Sequence, residues 1–191
     1  MAQSKKNIDT EGLSGRVGNI IFRRRKSDDK IFVARRPVAS EEEPTEAQIN
    51  VQRKFQRGII YGKSAIADPA TKALYAVKAT DGRSAFNVAV ADYFNAPRIE
   101  LINMDGYTGA VGSTIIITVT DDFAVSSVHV KIENMDGSLV EEGEAAPGSS
   151  DIEWIYTATV MNESLAGDKI TVTAYDMPGN TDNLENEIPA R

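Results

Sequence analysis

Cysteine is absent from the 191 residues, which excludes disulfides, thiolate metal sites and cysteine nucleophiles. Histidine occurs once, at His129, so most hydrolase triads and His-rich metal sites are excluded as well. No apolar run approaches the roughly 20 residues that a membrane helix needs. Met1-Ala2-Gln3-Ser4-Lys5-Lys6 leads into polar sequence without an apolar stretch, and no secretory signal is expected. Gly12, Gly15 and Gly18 are spaced by two residues, but they precede a strand pattern and not a helix, so they are no dinucleotide fingerprint. A G-x-x-x-x-G-K-[ST] phosphate loop is missing too. Without a nucleophile and base, a phosphate loop or a metal cluster, the chain is expected to be no enzyme and to use no cofactor. What is present is ordinary globular composition, 41% hydrophobic and 26% charged, which rules out wholesale disorder.

The net charge of -7 hides a division. Residues 1–97 hold 17 basic and 11 acidic side chains, a net of +6, whereas residues 98–191 hold 4 and 17, a net of -13. Such asymmetry hints at nucleic-acid contact or at head-to-tail electrostatic pairing. The texture changes at the same place, from Ala-rich, helix-forming sequence to alternating β-branched residues punctuated by Gly, Asn and Asp. A boundary is expected at Asn95-Ala96-Pro97.

In the first half, Val17, Ile20, Ile21 and Phe22 predict one strand and Ile31, Phe32 and Val33 another, with Ser27-Asp28-Asp29-Lys30 as the turn between them. This hairpin is flanked by Arg16, Arg23, Arg24, Arg25, Lys26, Arg35 and Arg36. Clustered arginines suit phosphate contacts, a solvated edge that resists aggregation, or the acidic half of a neighbouring subunit. Thr45 and Gln48 fit a capping box that opens a helix to about Ala67, with Val51, Phe55, Ile59, Gly62 and Ile66 on one stripe. Gly58 and Gly62 weaken that helix unless another backbone packs close to them. Asp68-Pro69 starts a second helix that runs to about Ala79, Asp81-Gly82 breaks it, and Ser84 caps a third over 85–94.

Gly12-Leu13-Ser14-Gly15-Arg16-Val17-Gly18-Asn19, Arg35-Arg36-Pro37, and Pro44-Thr45-Glu46-Ala47-Gln48 followed by Arg53 and Phe55 together resemble one family. It comprises intracellular proteins of Bacteroidetes bacteria and their phages, patterned G-x-x-G-x-V-G-N, R-x-P, P-T-x-x-Q and R-x-F. The likeness spans roughly residues 8–95 and implies origin and a cytoplasmic or virion setting, but no activity.

From Arg98 onward strand signals recur at short intervals: 99–102, 114–120, 125–132, 139–140, 152–158 and 170–175. Met135-Asp136-Gly137-Ser138 reads as a hairpin turn. Six or seven strands in about 90 residues predict a β-sandwich. Val119-Thr120-Asp121-Asp122, Trp154-Ile155-Tyr156 and Ala174-Tyr175-Asp176-Met177-Pro178-Gly179-Asn180 resemble a bacterial immunoglobulin-like domain. The resemblance implies a spacer, an adhesive module or a decoration on an assembly. Trp154 is expected in the core, and His129, on the opposite parity from Val128 and Val130, outside it. Asp105, Asp121, Asp122, Asp176 and Asp182 lie where inter-strand loops can gather oxygen ligands; Asp121, Asp122 and Asp176 are the calcium candidates. The same acids also serve as turn formers.

The expected fold is therefore α+β, with a small basic hairpin-plus-helices domain over 1–97 and an acidic immunoglobulin-like antiparallel β-sandwich over 98–191. The expected role is structural, in a virion or virion-like particle, through self-association or contact with other particle proteins. The alternative is phosphate binding to nucleic acid through Arg23–Lys26 with Arg35 and Arg36. No membrane contact and no small-molecule substrate are expected.

Overall fold

The computed structural model describes residues 2–4, 14–24, 30–38, 42–80 and 82–189. Gly12, Leu13, Arg25, Lys26, the 27–29 turn and Asp81, all singled out above, lie outside the described residues. The fold is α+β, with three helices and three antiparallel sheets.

Helix α1 spans Glu46–Ala67 and opens with a complete capping box, Gln48 N donating to Thr45 Oγ1 (3.3 Å) and Thr45 N to Gln48 Oε1 (2.9 Å). It stops at Asp68, whose extended backbone lets its carboxylate cap the next helix, α2 (Pro69–Val77), by accepting from Thr71 N (2.8 Å) and Thr71 Oγ1 (2.7 Å). Ser84 caps α3 (Ala85–Asp92). Helices α2 and α3 each end two residues before the pattern predicts. Their last turns tighten into i→i−3 bonds, Ala79 N to Ala76 O (3.1 Å) and Phe94 N to Ala91 O (3.0 Å).

The face of α1 that is buried is Gly58, Gly62 and Ala65. A Cβ on Gly62 would lie 2.6 Å from Val90 Cγ2 and 3.0 Å from the Phe86 ring, and one on Gly58 2.9 Å from the Phe94 ring. The two glycines are what allow α3 to come this near. The Phe94 ring lies over Lys54 and Phe55, and farther toward the N-terminus the stripe runs out uncovered, Val51 being 68% exposed and Phe55 52%.

Four short strands, β1 (Ala2–Ser4), β2 (Gly15–Val17), β3 (Ile20–Arg24) and β4 (Ile31–Arg35), form a sheet in the order β1-β4-β3-β2. The apolar run expected as one strand is cut at Gly18-Asn19, where Gly18 takes φ +56° and turns the chain back, so that Val17 pairs with Ile20.

The remaining strands are β5 (Arg98–Asn103), β6 (Thr114–Thr120), β7 (Val125–Glu133), β8 (Leu139–Glu144), β9 (Ala146–Pro147), β10 (Glu153–Thr157), β11 (Lys169–Asp176) and β12 (Thr181–Glu187). They make two four-stranded antiparallel sheets, β5-β6-β10-β9 and β12-β11-β7-β8. Period-two alternation sends Ile115, Ile117 and Val119 of one sheet, and Val128, Val130, Ile132, Ile170, Val172 and Ala174 of the other, into one shared core. Each such isoleucine or valine contributes roughly 1.5–3 kcal/mol by leaving water. Trp154 and Tyr156 fill the same core, whereas His129 faces outward and pairs across the strands with Glu144 and Thr173. Strand β12 gives no hydrophobic signal in the sequence because it is an edge, with Leu184 its one apolar residue. A buried acid also pins the 159–160 segment: Glu141 Oε2 accepts from Thr159 N and Oγ1 (both 2.9 Å) and Val160 N (3.2 Å).

Helices and sheets meet through the loop between β6 and β7. The Phe123 ring stacks on Tyr75 with centroids 4.2 Å apart, inside the helical cluster of Ala65, Tyr75, Val88 and Ala89. Lys78 Nζ donates to the carbonyls of Asp122 and Phe123, and Asn95 Nδ2 to Asp122 Oδ2 (2.7 Å). Asn180 Nδ2 lies 3.2–3.4 Å from the carbonyl oxygens of Asp92, Tyr93 and Asn95, which ties the end of α3 to the segment after β11.

Alanine ordinarily stabilises a helix interior by about 1 kcal/mol relative to glycine, but at Gly62 the added methyl meets the β-branched Val90. Gly62→Ala is expected to destabilise the chain by about 1–3 kcal/mol in chemical denaturation. Gly58→Ala, which meets the outer edge of a partly exposed ring, should cost less; the reverse order would mean that α3 is not held against Gly62.

Candidate functional site

The joint between helices and sheets is built around acids. Asp92 closes α3, Asp121 and Asp122 begin the loop after β6, and Asp176 ends β11. Carboxylate oxygens of Asp92, Asp121 and Asp176 all lie within 4.8 Å of one another. Asp92 is 1% exposed, Asp176 3%, and Asp121 is half-buried.

Each acid is held by specific donors. Tyr75 Oη donates to Asp92 Oδ2 at 2.5 Å, and the Tyr61 and Tyr75 hydroxyls bond at 2.7 Å, so one chain of hydrogen bonds runs from α1 through α2 to α3. Asp176 accepts from Asn180 N at Oδ1 (2.6 Å) and from Asn180 Nδ2 at Oδ2 (2.7 Å). Asp121 Oδ2 accepts from Phe123 N (3.1 Å). Two buried oxygens are left over, because Asp92 Oδ1 and Asp121 Oδ1 have no hydrogen-bond partner. Among the described residues no lysine or arginine forms an ion pair with any of the three carboxylates. Lys78, the cation that reaches this loop, spends its hydrogen bonds on main-chain carbonyls.

Burial pushes the Asp92 carboxyl up to about 7; the Tyr75 hydrogen bond opposes that rise, and repulsion from Asp121, Asp176 and Asp122 adds to it. Burial likewise raises Asp176, against its bonds to Asn180. The Tyr75 phenol is driven far up by burial and by its bonds to Asp92 and Tyr61, so it remains a donor at any physiological pH.

Of the five acids noted at strand ends, the fold brings Asp121 and Asp176 into this cluster, with Asp122 at its rim on Asn95. Asp182 accepts from Ile99 N (2.9 Å), and Asp105 lies across the sheets by a shallow cleft lined by Met104, Tyr107, Leu165 and Ile188. Asp92 was not among them. Two signals pointed to it: it continues the apolar Ala85, Val88, Ala89 face of α3, and an acid at a helix C-terminus opposes the helix dipole.

Among the described residues, the basic side chains of the first sheet divide between its two faces. Directly opposed residues share a face, so the pairs Ile20–Arg35, Phe22–Val33 and Arg24–Ile31 put Arg24 and Arg35 at opposite ends of an apolar face, while Arg16 and Arg23 lie on the other face with Ile21 and Phe32. Arg36 follows β4, its N–H bonded to Asn19 O (2.8 Å), and Arg25 and Lys26 lie outside the described residues.

The fold and site together define an α+β protein with an acid cluster at its helix–sheet joint. No protein-family model matches the chain, and no curated protein matches its sequence. Among solved structures, an engineered protein is similar at 19% identity and a TM-score of 0.33, over 56% of this chain and 27% of its own length.

The raised Asp92 carboxyl has a defined consequence for stability. An unfolded aspartate loses its proton near about 3.9, while the native one keeps it until about 7, so the contribution of this carboxyl to stability is full below the lower value, falls as pH rises between the two and is gone above the upper one. In buffer free of divalent cations, Asp92→Asn should match the parent near pH 4 and exceed it by about 2–4 kcal/mol at pH 8. Denaturation curves at the two pH values provide the check; an equal difference at both would exclude ionisation of Asp92 as the cause.

Proposed function

We propose that the chain is a non-enzymatic assembly protein, in which an immunoglobulin-like sandwich is displayed by an N-terminal block that docks onto further copies or onto other particle proteins. Support for the sandwich comes from strand order. Lettering β5 to β12 as A, B, C, C′, D, E, F and G gives sheets A-B-E-D and G-F-C-C′, the arrangement of immunoglobulin-type folds. The resemblance of the first half to proteins of Bacteroidetes and their phages is what favours a virion or virion-like particle as the setting of the assembly.

The observation that carries the assembly role is the uncovered end of the α1 stripe. Val51 and Phe55 continue the face that Gly58 and Gly62 bury, yet both are more than half exposed. Beside them, Glu43, Pro44, Ala47 and Gln48 form a shallow groove, and Leu74 and Val77 add an exposed apolar face on α2. Apolar side chains in series on a helix mark a contact surface more strongly than the exposed hydrophobics scattered singly over the strand loops. The opposite charges of the two halves, +6 and -13, suit head-to-tail pairing.

Light scattering after size exclusion tests this role. The parent should elute at a defined multiple of 20.7 kDa with a protein-like absorbance ratio that survives moderate salt, and the Val51→Glu, Phe55→Glu double variant should fall to monomer mass with unchanged far-UV circular dichroism. A parent that is monomeric at every concentration would overturn self-association. A small species whose excess ultraviolet absorbance is lost at high salt would transfer the role to nucleic acid and the arginines of the first sheet.

A further inference from the structure

We propose that Asp92, Asp121 and Asp176 bind a divalent cation, calcium by its chemistry, and that this ion clamps the helices to the sheets. The proposal is independent of the assembly role. It starts from Asp92, whose side chain is 1% exposed while its Oδ1 lacks any partner in a cluster that also contains the unpartnered Asp121 Oδ1. A buried carboxylate oxygen without a donor is costly, and setting two of them in a cluster of three acids adds to that cost unless positive charge joins them. One oxygen of each acid lies within 4.8 Å of the other two, a spacing close to that of ligands held about 2.3–2.6 Å from a single ion, the distance calcium prefers.

The backbone adds to the attraction. Asp92 is the last residue of α3, where the helix dipole is negative and main-chain carbonyls are left over. Asn180 gathers the carbonyls of Asp92, Tyr93 and Asn95 and Asp176 Oδ2 around its amide, so the same side chain positions the end of α3 and one of the acids. The Lys78 amino group is engaged with the Asp122 and Phe123 carbonyls and shapes the loop without pairing with the three acids.

The donor set selects the metal. Carboxylate oxygens with water suit hard cations, and with no cysteine in the chain and no imidazole in the cluster, zinc and copper are disfavoured. Magnesium demands a tight octahedron and sheds water reluctantly, whereas calcium accepts an irregular cage assembled from three separate elements. Two positive charges against three negative ones leave the joint near neutrality. Because the ligands come from α3, from the loop after β6 and from β11, the ion binds only when helices and sheets are docked.

The full chain, stripped with EDTA, is to be titrated with calcium chloride and melted. At 100-fold excess over the dissociation constant, calcium should raise the melting temperature by roughly 5–10 °C, and magnesium by less. Terbium chloride, a calcium mimic, should show tyrosine-sensitised emission, since Tyr75 bonds directly to a ligand. Asp92→Asn and Asp121→Asn should each weaken calcium binding at least tenfold, while Asp136→Asn, in the β7–β8 turn, should leave it unchanged. Asp92→Asn is the informative variant, because asparagine keeps the size of the side chain and the oxygen that accepts from Tyr75, and a far-UV circular dichroism spectrum unchanged from the parent's separates loss of response from loss of fold. A parent with neither a thermal shift nor terbium emission would overturn the proposal. So would a calcium shift that both cluster variants retain, and an equal magnesium shift would overturn the choice of calcium.

Discussion

Tyr75 is the point at which the helical half and the sheet half are made into one structure. It has no solvent exposure, its ring is stacked on Phe123 from the β6–β7 loop, and its hydroxyl donates to Asp92 while bonded to Tyr61. Each contact fixes a different element, so α1, α2, α3 and the loop converge on one side chain. Placing a phenol there satisfies one oxygen of Asp92 and leaves the other without a hydrogen-bond partner. The acid cluster is thus a consequence of the joint as much as an addition to it. A joint that buries carboxylates without a paired cation is weakened by their ionisation, which makes docking of the two halves depend on pH in a way that neither half's own core does.

Those two cores differ in kind. The sheet core is a layer of β-branched side chains, contributed alternately by β6, β7 and β11, and it depends on area removed from water. The helical cluster is small, and it depends on close approach at Gly58 and Gly62 and on hydrogen bonds among tyrosines and Asp92. An uncovered apolar stripe continues from this smaller core, which is where a partner would add the burial that the helices do not supply themselves.

Much of this was legible residue by residue. Thr45, Asp68 and Ser84 announced three helix starts because capping is a local hydrogen bond between residues three apart. Alternation in 125–132 and 170–175 announced the inward faces of β7 and β11, since a strand repeats every two residues. The two glycines of α1 foretold tight packing, but what fills the space over them is the side chains of Phe86, Val90 and Phe94 and not the second backbone expected. The turn at Gly18-Asn19 was missed because Val17 and Ile20–Phe22 read as one apolar run, and β12 was missed because an edge strand needs little hydrophobicity.

The sequence by itself determined the α+β class, the helix caps, the core faces of the strands and the charge division, because each follows from interactions between near neighbours or from composition. Only the tertiary structure decided that Asp92 would join Asp121 and Asp176, residues separated by up to 84 positions, and that the hairpin arginines would divide between two faces of a sheet. Strand register and helix docking set those distances. Both are fixed by packing among residues remote in the chain, and no local pattern encodes them.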